Sequence, residues 1–125
     1  MKPPLTSLSR IMCSVKMIAK AIGKFIRISP RKVMQVIDLI RGKDANEALT
    51  LLSVINKGPC RVIKKLLESA IGNAKMRGSQ VDRLFISRIT ADGGPMWKRY
   101  KASAFGRANK IRRRTSHIKI ELDVK

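Results

Sequence analysis

The sequence predicts an α+β fold with three helices, several strands and a long protruding β-hairpin. Three segments begin with helix-start residues and continue with apolar residues at helical spacing. Segments on both sides of these helices have the composition or the alternation that is typical of strands. A basic stretch near the C-terminus is too long for an ordinary connection in a small domain and has strand-like flanks. We take the elements in order from the N-terminus.

Residues 1–15 are predicted to be a basic N-terminal extension, and residues 16–125 a single domain. The first 24 residues contain five lysines or arginines and no acidic residue. Organellar transit peptides share this composition with the basic arms of nucleic-acid-binding proteins. We expect a basic arm, and the transit peptide is the alternative.

The first strand is predicted from Lys20 to Ile28, and the first helix begins directly after it. Ser29 is a suitable N-cap, and Pro30 at the first helical position needs no N–H partner. Gly42 is expected to end this helix. The isoleucines predicted on one side of the strand are Ile22, Ile26 and Ile28. The apolar stripe predicted for the helix is Val33, Val36, Ile37 and Ile40.

Two further helices follow. Asp44 is a candidate N-cap for the second, with Glu47 three residues later as in a capping box. Gly58 and Pro59 interrupt the chain, and the third helix is predicted over about Cys60 to Met76. The buried stripe predicted for the third helix is Ile63, Leu66, Leu67, Ala70, Ile71 and Ala74.

The remaining elements are predicted to be strands. Val81 to Thr90 is rich in strand-forming residues, and His117 to Val124 alternates between apolar and polar residues. The chain between them, about residues 90–115, is interpreted as an antiparallel hairpin. Arms of about twelve residues would project roughly 40 Å. An isolated hairpin is marginal in water, so we expect this one to become ordered against a partner.

The stretch from Met96 to Ile120 indicates the partner's chemistry. It contains nine lysines or arginines and no acidic residue, in a chain with 28 basic and 8 acidic residues. Like charges repel in a compact monomer, so such a run requires a polyanion. Trp97 and Tyr100 either stack on bases or pack across the hairpin. The pattern predicts a nucleic-acid ligand.

Other chemistries fit the sequence less well. No apolar run is long enough to span a membrane, and no single basic amphipathic helix suits a membrane surface or an acidic protein. Cys13 and Cys60 lack the neighbours of a zinc site, and we expect free thiols, with one disulfide as the alternative. We expect no metal, no cofactor and no enzymatic activity, because His117 is the single histidine and has no catalytic partners in the sequence. An architectural DNA-binding protein remains the alternative, and it would normally be a dimer, whereas we expect no homo-oligomer.

Five blocks of the sequence together form a recognisable pattern. The blocks are RISPRK at Arg27–Lys32, DLIRGK at Asp38–Lys43, AIGNA at Ala70–Ala74, GRA at Gly106–Ala108 and RTSHI at Arg114–Ile118. In this order and register they resemble the bacterial-type ribosomal protein L twenty-two family of the large subunit. The resemblance extends over about residues 18–124, and the first and last blocks are the most specific.

This resemblance implies three helices packed on a small antiparallel sheet, without enzymatic activity. It implies that the hairpin threads between ribosomal RNA segments and lines the nascent-peptide exit tunnel near the macrolide site. The partners would be large-subunit ribosomal RNA, neighbouring large-subunit proteins and the nascent peptide. The location would be the ribosome in the bacterial cytoplasm or, alternatively, in an organelle matrix or stroma.

The family's sites are carried over by matching positions. The rRNA-binding residues would be Arg27, Arg31, Lys32, Arg41, Lys43, Arg107, Lys110, Arg112, Arg113, Arg114, Thr115, Ser116 and His117. The exit-tunnel tip of the hairpin would be Trp97, Lys98, Arg99, Tyr100, Lys101, Ala102, Ser103, Ala104, Phe105 and Gly106. The stretch from Ala102 to Ala108 departs from the family pattern, because it lacks a proline, an arginine and a basic residue that are usual there.

Overall fold

The computed structural model describes residues 18–125 and confirms the predicted α+β fold. The proposed extension, residues 1–15, lies outside the described residues, and so does Cys13. Short 3₁₀ turns precede the second strand and close the hairpin. The elements are β1 (Ala19–Ile26), α1 (Pro30–Ile40), α2 (Ala45–Val54), α3 (Gly58–Met76), β2 (Leu84–Gly93), β3 (Trp97–Ala102), β4 (Ala108–Arg113) and β5 (Ser116–Val124).

The body is built on a three-stranded antiparallel sheet with β5 in the centre, in the order β1-β5-β2. Ala19 pairs with Leu122 on one side of β5, and Leu84 pairs with Val124 on the other. The alternation of β5 directs Ile118 and Ile120 into the core, as predicted. β5 is the last strand in the sequence, and it is the strand that joins β1 and β2 into one sheet.

The three helices cover one face of this sheet. The predicted stripe of α1 is fully buried, and the stripe of α3 is buried except for Leu66, which is half-buried. α1 packs on β2, α3 packs on β1 and β5, and α2 packs on α3. The helices and the sheet thus share one hydrophobic core. None of the helices within residues 18–125 is long and apolar enough to cross a membrane.

The helix boundaries follow the sequence signals closely. Ser29 and Asp44 occupy the predicted N-cap positions, but within residues 18–125 neither side chain bonds to its own helix. The carboxylate of Asp44 pairs instead with Lys125 at 2.6 Å. Gly42 follows α1 with φ of 74°, the left-handed conformation that glycine adopts most readily. α3 begins at Gly58, two residues earlier than predicted.

The prediction that Ile22 and Ile26 lie on the same side of β1 was wrong, because Ile22 is 44% exposed whereas Ile26 packs against the core. Ala19 and Ala21 face the core instead. The pairing of β1 with β5 shifts register between Gly23 and Ile26, and Phe25 within this bulge has φ of 56°. An extra residue in a strand reverses which side chains point inward. Ile26 therefore packs against the core, and Ile22 does not.

The hairpin is shorter than predicted. β3 and β4 pair over six residues each, from Trp97 opposite Arg113 to Ala102 opposite Ala108. This length corresponds to about 20 Å rather than 40 Å. The body sheet pairs as far as Gly93 with Ser116, so the residues on both flanks belong to the body. Every residue of β3 and β4 is exposed, and none contributes to the core of the described residues.

Candidate nucleic-acid interface

An open groove of about 850 Å³ lies where the hairpin leaves the body. We call it the root groove. Its walls come from three places along the chain: residues 27–29 and 32 around the start of α1, residues 58 and 59 at the start of α3, and residues 97 and 112–115 at the two ends of the hairpin. The fold therefore brings together segments that are as much as 88 residues apart (27 to 115).

The root groove is strongly basic. In the part of the chain that the structure describes, no acidic side chain lines it. The ion pairs that the structure contains involve cations elsewhere on the body. Clustered positive charge in a concave surface raises the local potential and attracts a polyanion. The cations of the groove are Arg27, Lys32, Arg112, Arg113 and Arg114.

Two helices start at the same groove. Pro30 begins α1, and Gly58 begins α3. Neither N-cap residue, Ser29 or Lys57, makes a side-chain cap bond within residues 18–125. The free N–H groups and the partial positive charge of a helix start favour anions. These helix starts add to the charge of the side chains in the same place.

Trp97 forms part of the groove wall. The guanidinium carbon of Arg27 lies 4.8 Å from the centre of the Trp97 ring, which is the geometry of a cation–π contact. Trp97 as a whole residue is still 53% exposed. Trp97 was predicted to lie at the hairpin tip, and this placement is wrong. It opens β3 opposite Arg113, because the paired part of the hairpin begins only there.

Hydrogen bonds fix the direction in which the hairpin leaves the body. The Gly94 N–H donates to the Thr115 carbonyl at 2.9 Å, and the Thr115 hydroxyl donates to the Pro95 carbonyl at 2.7 Å. On the neighbouring strand, the Phe25 N–H donates to Nδ1 of His117 at 3.0 Å, and the two rings meet edge to face. These bonds tie the two ends of the hairpin to each other and β5 to β1, next to the arginines of the groove.

Three residues of the predicted RNA-binding set serve the body. Thr115 is 3% exposed and is bonded to Pro95. His117 is half-buried and is bonded to Phe25. Ser116 is fully buried, and its hydroxyl has no hydrogen-bond partner within residues 18–125. The alternation of β5 places Ser116 on the same side as Ile118, and this signal was present in the sequence.

The hairpin itself carries cations along both strands. Lys98 lies directly opposite Arg112, a pairing of like charges that destabilises an isolated hairpin. An anion between or beside the two side chains removes this cost. At the tip, Phe105 is 99% exposed with φ of 57°, and the Ser103 N–H closes the turn on the Arg107 carbonyl at 2.7 Å. The hairpin therefore presents positive charge on both of its exposed strands.

The remaining predicted contact residues do not line the root groove. Arg41 and Lys43 follow the C-terminal end of α1, about 16 Å along the helix from its start. They pair with Asp38 and Glu47, respectively. Arg31 is exposed beside the groove but does not line it. Arg107 and Lys110 lie on the exposed hairpin, beyond the groove.

Sequence reasoning missed the contribution of Gly58 and Pro59 to the groove. The Gly-Pro pair correctly indicated a helix start, but nothing local showed that this start meets the hairpin. Within residues 18–125, no group of three or more His, Cys, Asp or Glu side chains is placed to hold a metal ion. Cys60 is a free thiol buried in the core.

Comparison with known proteins identifies the family. Residues 21–123 match the family model described as Ribosomal protein L22p/L17e. The large ribosomal subunit protein uL22 of Sulfurihydrogenibium sp. is 52% identical over 104 residues, which is 83% of this chain and 90% of that protein.

Two other relatives carry the same name. The uL22 of Sorangium cellulosum is 46% identical over 86% of this chain and 97% of its own length. The uL22 of Pelotomaculum thermopropionicum is 52% identical over 82% of this chain and 91% of its own length. The chain therefore belongs to the ribosomal protein L22p/L17e family, and it is a structural constituent of the large ribosomal subunit rather than an enzyme.

Proposed function

We propose that the chain binds large-subunit ribosomal RNA through the root groove and the hairpin, and that it thereby supports assembly of the subunit. The observation that carries the proposal is the groove, in which five cations and two helix starts meet without an acidic side chain from residues 18–125. Phosphates are the ligand of this chemistry, because arginine binds them through paired N–H groups and helix starts bind them through free N–H groups.

The hairpin extends this interface away from the body. Its cations project from both faces, since neighbouring residues of a strand point to opposite sides. A hairpin of this kind is suited to a position between two RNA segments. We further propose that its tip reaches the wall of the peptide exit tunnel, next to the nascent peptide and near the macrolide site. The family membership and the full exposure of the tip, with Phe105 outermost, support this position.

The interface that we propose is smaller than the set predicted from the sequence. It includes the cations of the groove and of the hairpin, with Arg31, Arg41 and Lys43 as further contacts on the body. It leaves out Ser116, because a fully buried hydroxyl has no access to RNA. Thr115 and His117 are assigned to positioning the hairpin.

The remaining features of the proposal concern the whole chain. We propose that residues 16–125 form one domain, with residues 1–15 as a basic extension, and that the chain acts as a monomer among neighbouring large-subunit proteins. Its ribosome would be that of a bacterial cytoplasm, which agrees with the bacterial source of the relatives. An organelle matrix or stroma remains the alternative location.

Binding at different salt concentrations tests the RNA interface. The full-length chain should bind purified large-subunit ribosomal RNA in preference to duplex DNA of equal length. The logarithm of affinity should fall as the logarithm of salt rises. If the five groove cations each neutralise one phosphate, they alone contribute roughly 3.5 to 4.5 to the magnitude of this slope, and the hairpin cations add to it. Equal affinity for duplex DNA, together with a dimer in sedimentation equilibrium, would instead favour an architectural DNA-binding protein.

A further inference from the structure

We propose that the root groove holds one unpaired nucleotide, with its base stacked on Trp97 and its phosphates among the groove arginines. This proposal rests on the proposed binding of ribosomal RNA and adds the kind of RNA element that is held there. A groove that only contacts the backbone of a double helix needs cations but no accessible aromatic ring. The root groove has both.

The size of the groove suits such an element. Clefts and cavities that bind small molecules have volumes of roughly 300 to 1,000 Å³. The root groove, at about 850 Å³, lies within this range. A double helix keeps its bases paired inside and presents only its edges and backbone. A single extruded nucleotide can place its base inside the groove and leave its neighbours outside.

Trp97 supplies the surface for the base. It lines the groove, and 53% of it is exposed although it begins a paired strand. Its position opposite Arg113 in the strand pairing therefore leaves about half of the residue accessible. The guanidinium carbon of Arg27 lies 4.8 Å from the centre of the ring, and this cation–π contact favours the observed ring position. An indole held in this way at the edge of a basic groove is a stacking platform, and such platforms accept any base.

The charges of the groove are placed for the phosphates on either side of that base. Arg112 and Arg114 line the groove together with Trp97, so one ligand can meet the ring and the guanidinium groups at once. The starts of α1 and α3 face the same space and favour anions in addition. Both halves of a nucleotide, the flat base and the charged phosphate, thus find a partner in one groove.

The fluorescence of Trp97 reports directly on this groove, because the chain has a single tryptophan. The probes are a dye-labelled single-stranded RNA hexamer and an abasic hexamer with the same number of phosphates. The affinity for each labelled hexamer is measured by the anisotropy of its dye. In a separate titration with the unlabelled hexamers, the fluorescence emission of Trp97 is recorded. We expect the base-bearing strand to bind more tightly and to quench Trp97, and the abasic strand to bind by charge alone without quenching at saturation.

The variant Trp97→Ala separates stacking from charge. It should weaken binding of the base-bearing hexamer by roughly 5- to 150-fold, the contribution of one stacked base. It should leave binding of the abasic hexamer unchanged, which also shows that the groove is intact. Trp97→Tyr keeps an aromatic platform and should restore most of the lost affinity.

The outcomes distinguish this proposal from the one on which it rests. If both strands bind the native chain equally well, or if Trp97→Ala weakens both equally, stacking is refuted and binding of RNA by charge stands. If neither strand binds at low salt, the proposed RNA interface falls together with the nucleotide site. The site is established if the native chain prefers the base-bearing strand, if Trp97→Ala loses this preference, and if Trp97→Tyr regains it.

Discussion

Replacement of Arg112, Arg113 and Arg114 together by glutamine should lower the affinity for large-subunit ribosomal RNA by on the order of 100-fold at 0.1 M salt. Each lost phosphate contact removes roughly 0.7 to 0.9 from the magnitude of the slope of log affinity against log salt concentration. The loss of three contacts should therefore lower this magnitude by about 2 to 3. The body should stay folded, because all three side chains are exposed and none belongs to the core. Filter binding at several salt concentrations measures both quantities.

A matched variant on α3 controls for net charge. Arg61, Lys64 and Lys65 lie together on the outer side of α3, away from the root groove. Their joint replacement by glutamine removes the same three charges. If both triple variants lose affinity equally, the total charge matters and the groove does not. Circular dichroism of the arginine variant provides a second check, since loss of helical signal would give these arginines a structural role that we do not expect.

Gly94→Ala should destabilise the hairpin root and lower the free energy of unfolding by about 1 to 3 kcal/mol, the usual cost of forcing an extra methyl group into packed surroundings. A Cβ atom at this position would lie 2.5 Å from Oγ1 of Thr115 and 3.1 Å from Nε2 of His117. Thr115 cannot move away freely, because it is 3% exposed and its hydroxyl is bonded to Pro95. Urea unfolding, followed by circular dichroism, gives the value.

The neighbouring glycine is the control for this substitution. A Cβ atom at Gly93 would meet no atom within 4 Å. Gly93→Ala should therefore change the free energy of unfolding by no more than about 0.5 kcal/mol. If the two variants unfold at the same urea concentration, Gly94 is not tightly enclosed, and the direction of the hairpin is not fixed by the contacts described above.

The helices and the central strand were predictable because their signals are local. The apolar stripe of α1, the alternation of β5 and the turn at Gly42 each depend on residues within a few positions of one another. The buried face of β1 was not predictable in the same way. It depends on a bulge around Phe25 that is visible only when β1 pairs with β5, a strand about 90 residues away.

The chemistry of the candidate site was also predictable from the sequence, but its geometry was not. The basic stretch and the two proline-containing helix starts each indicated an anionic ligand, but each did so separately. Tertiary packing brings Arg27, Pro59 and Arg114 to one groove, and this packing cannot be read from the sequence. Trp97 was assigned to the tip because the paired length of the hairpin was overestimated. Its contact with Arg27 at the root became visible only in the fold.

Sedimentation of the tagged chain from gently lysed cells, with and without ribonuclease, is the measurement to make. If ribosomal RNA holds the chain in the large subunit, the chain should travel with that subunit in a sucrose gradient, and ribonuclease should release it. An association that resists ribonuclease but is lost on treatment with deoxyribonuclease would contradict this result and place the root groove on DNA.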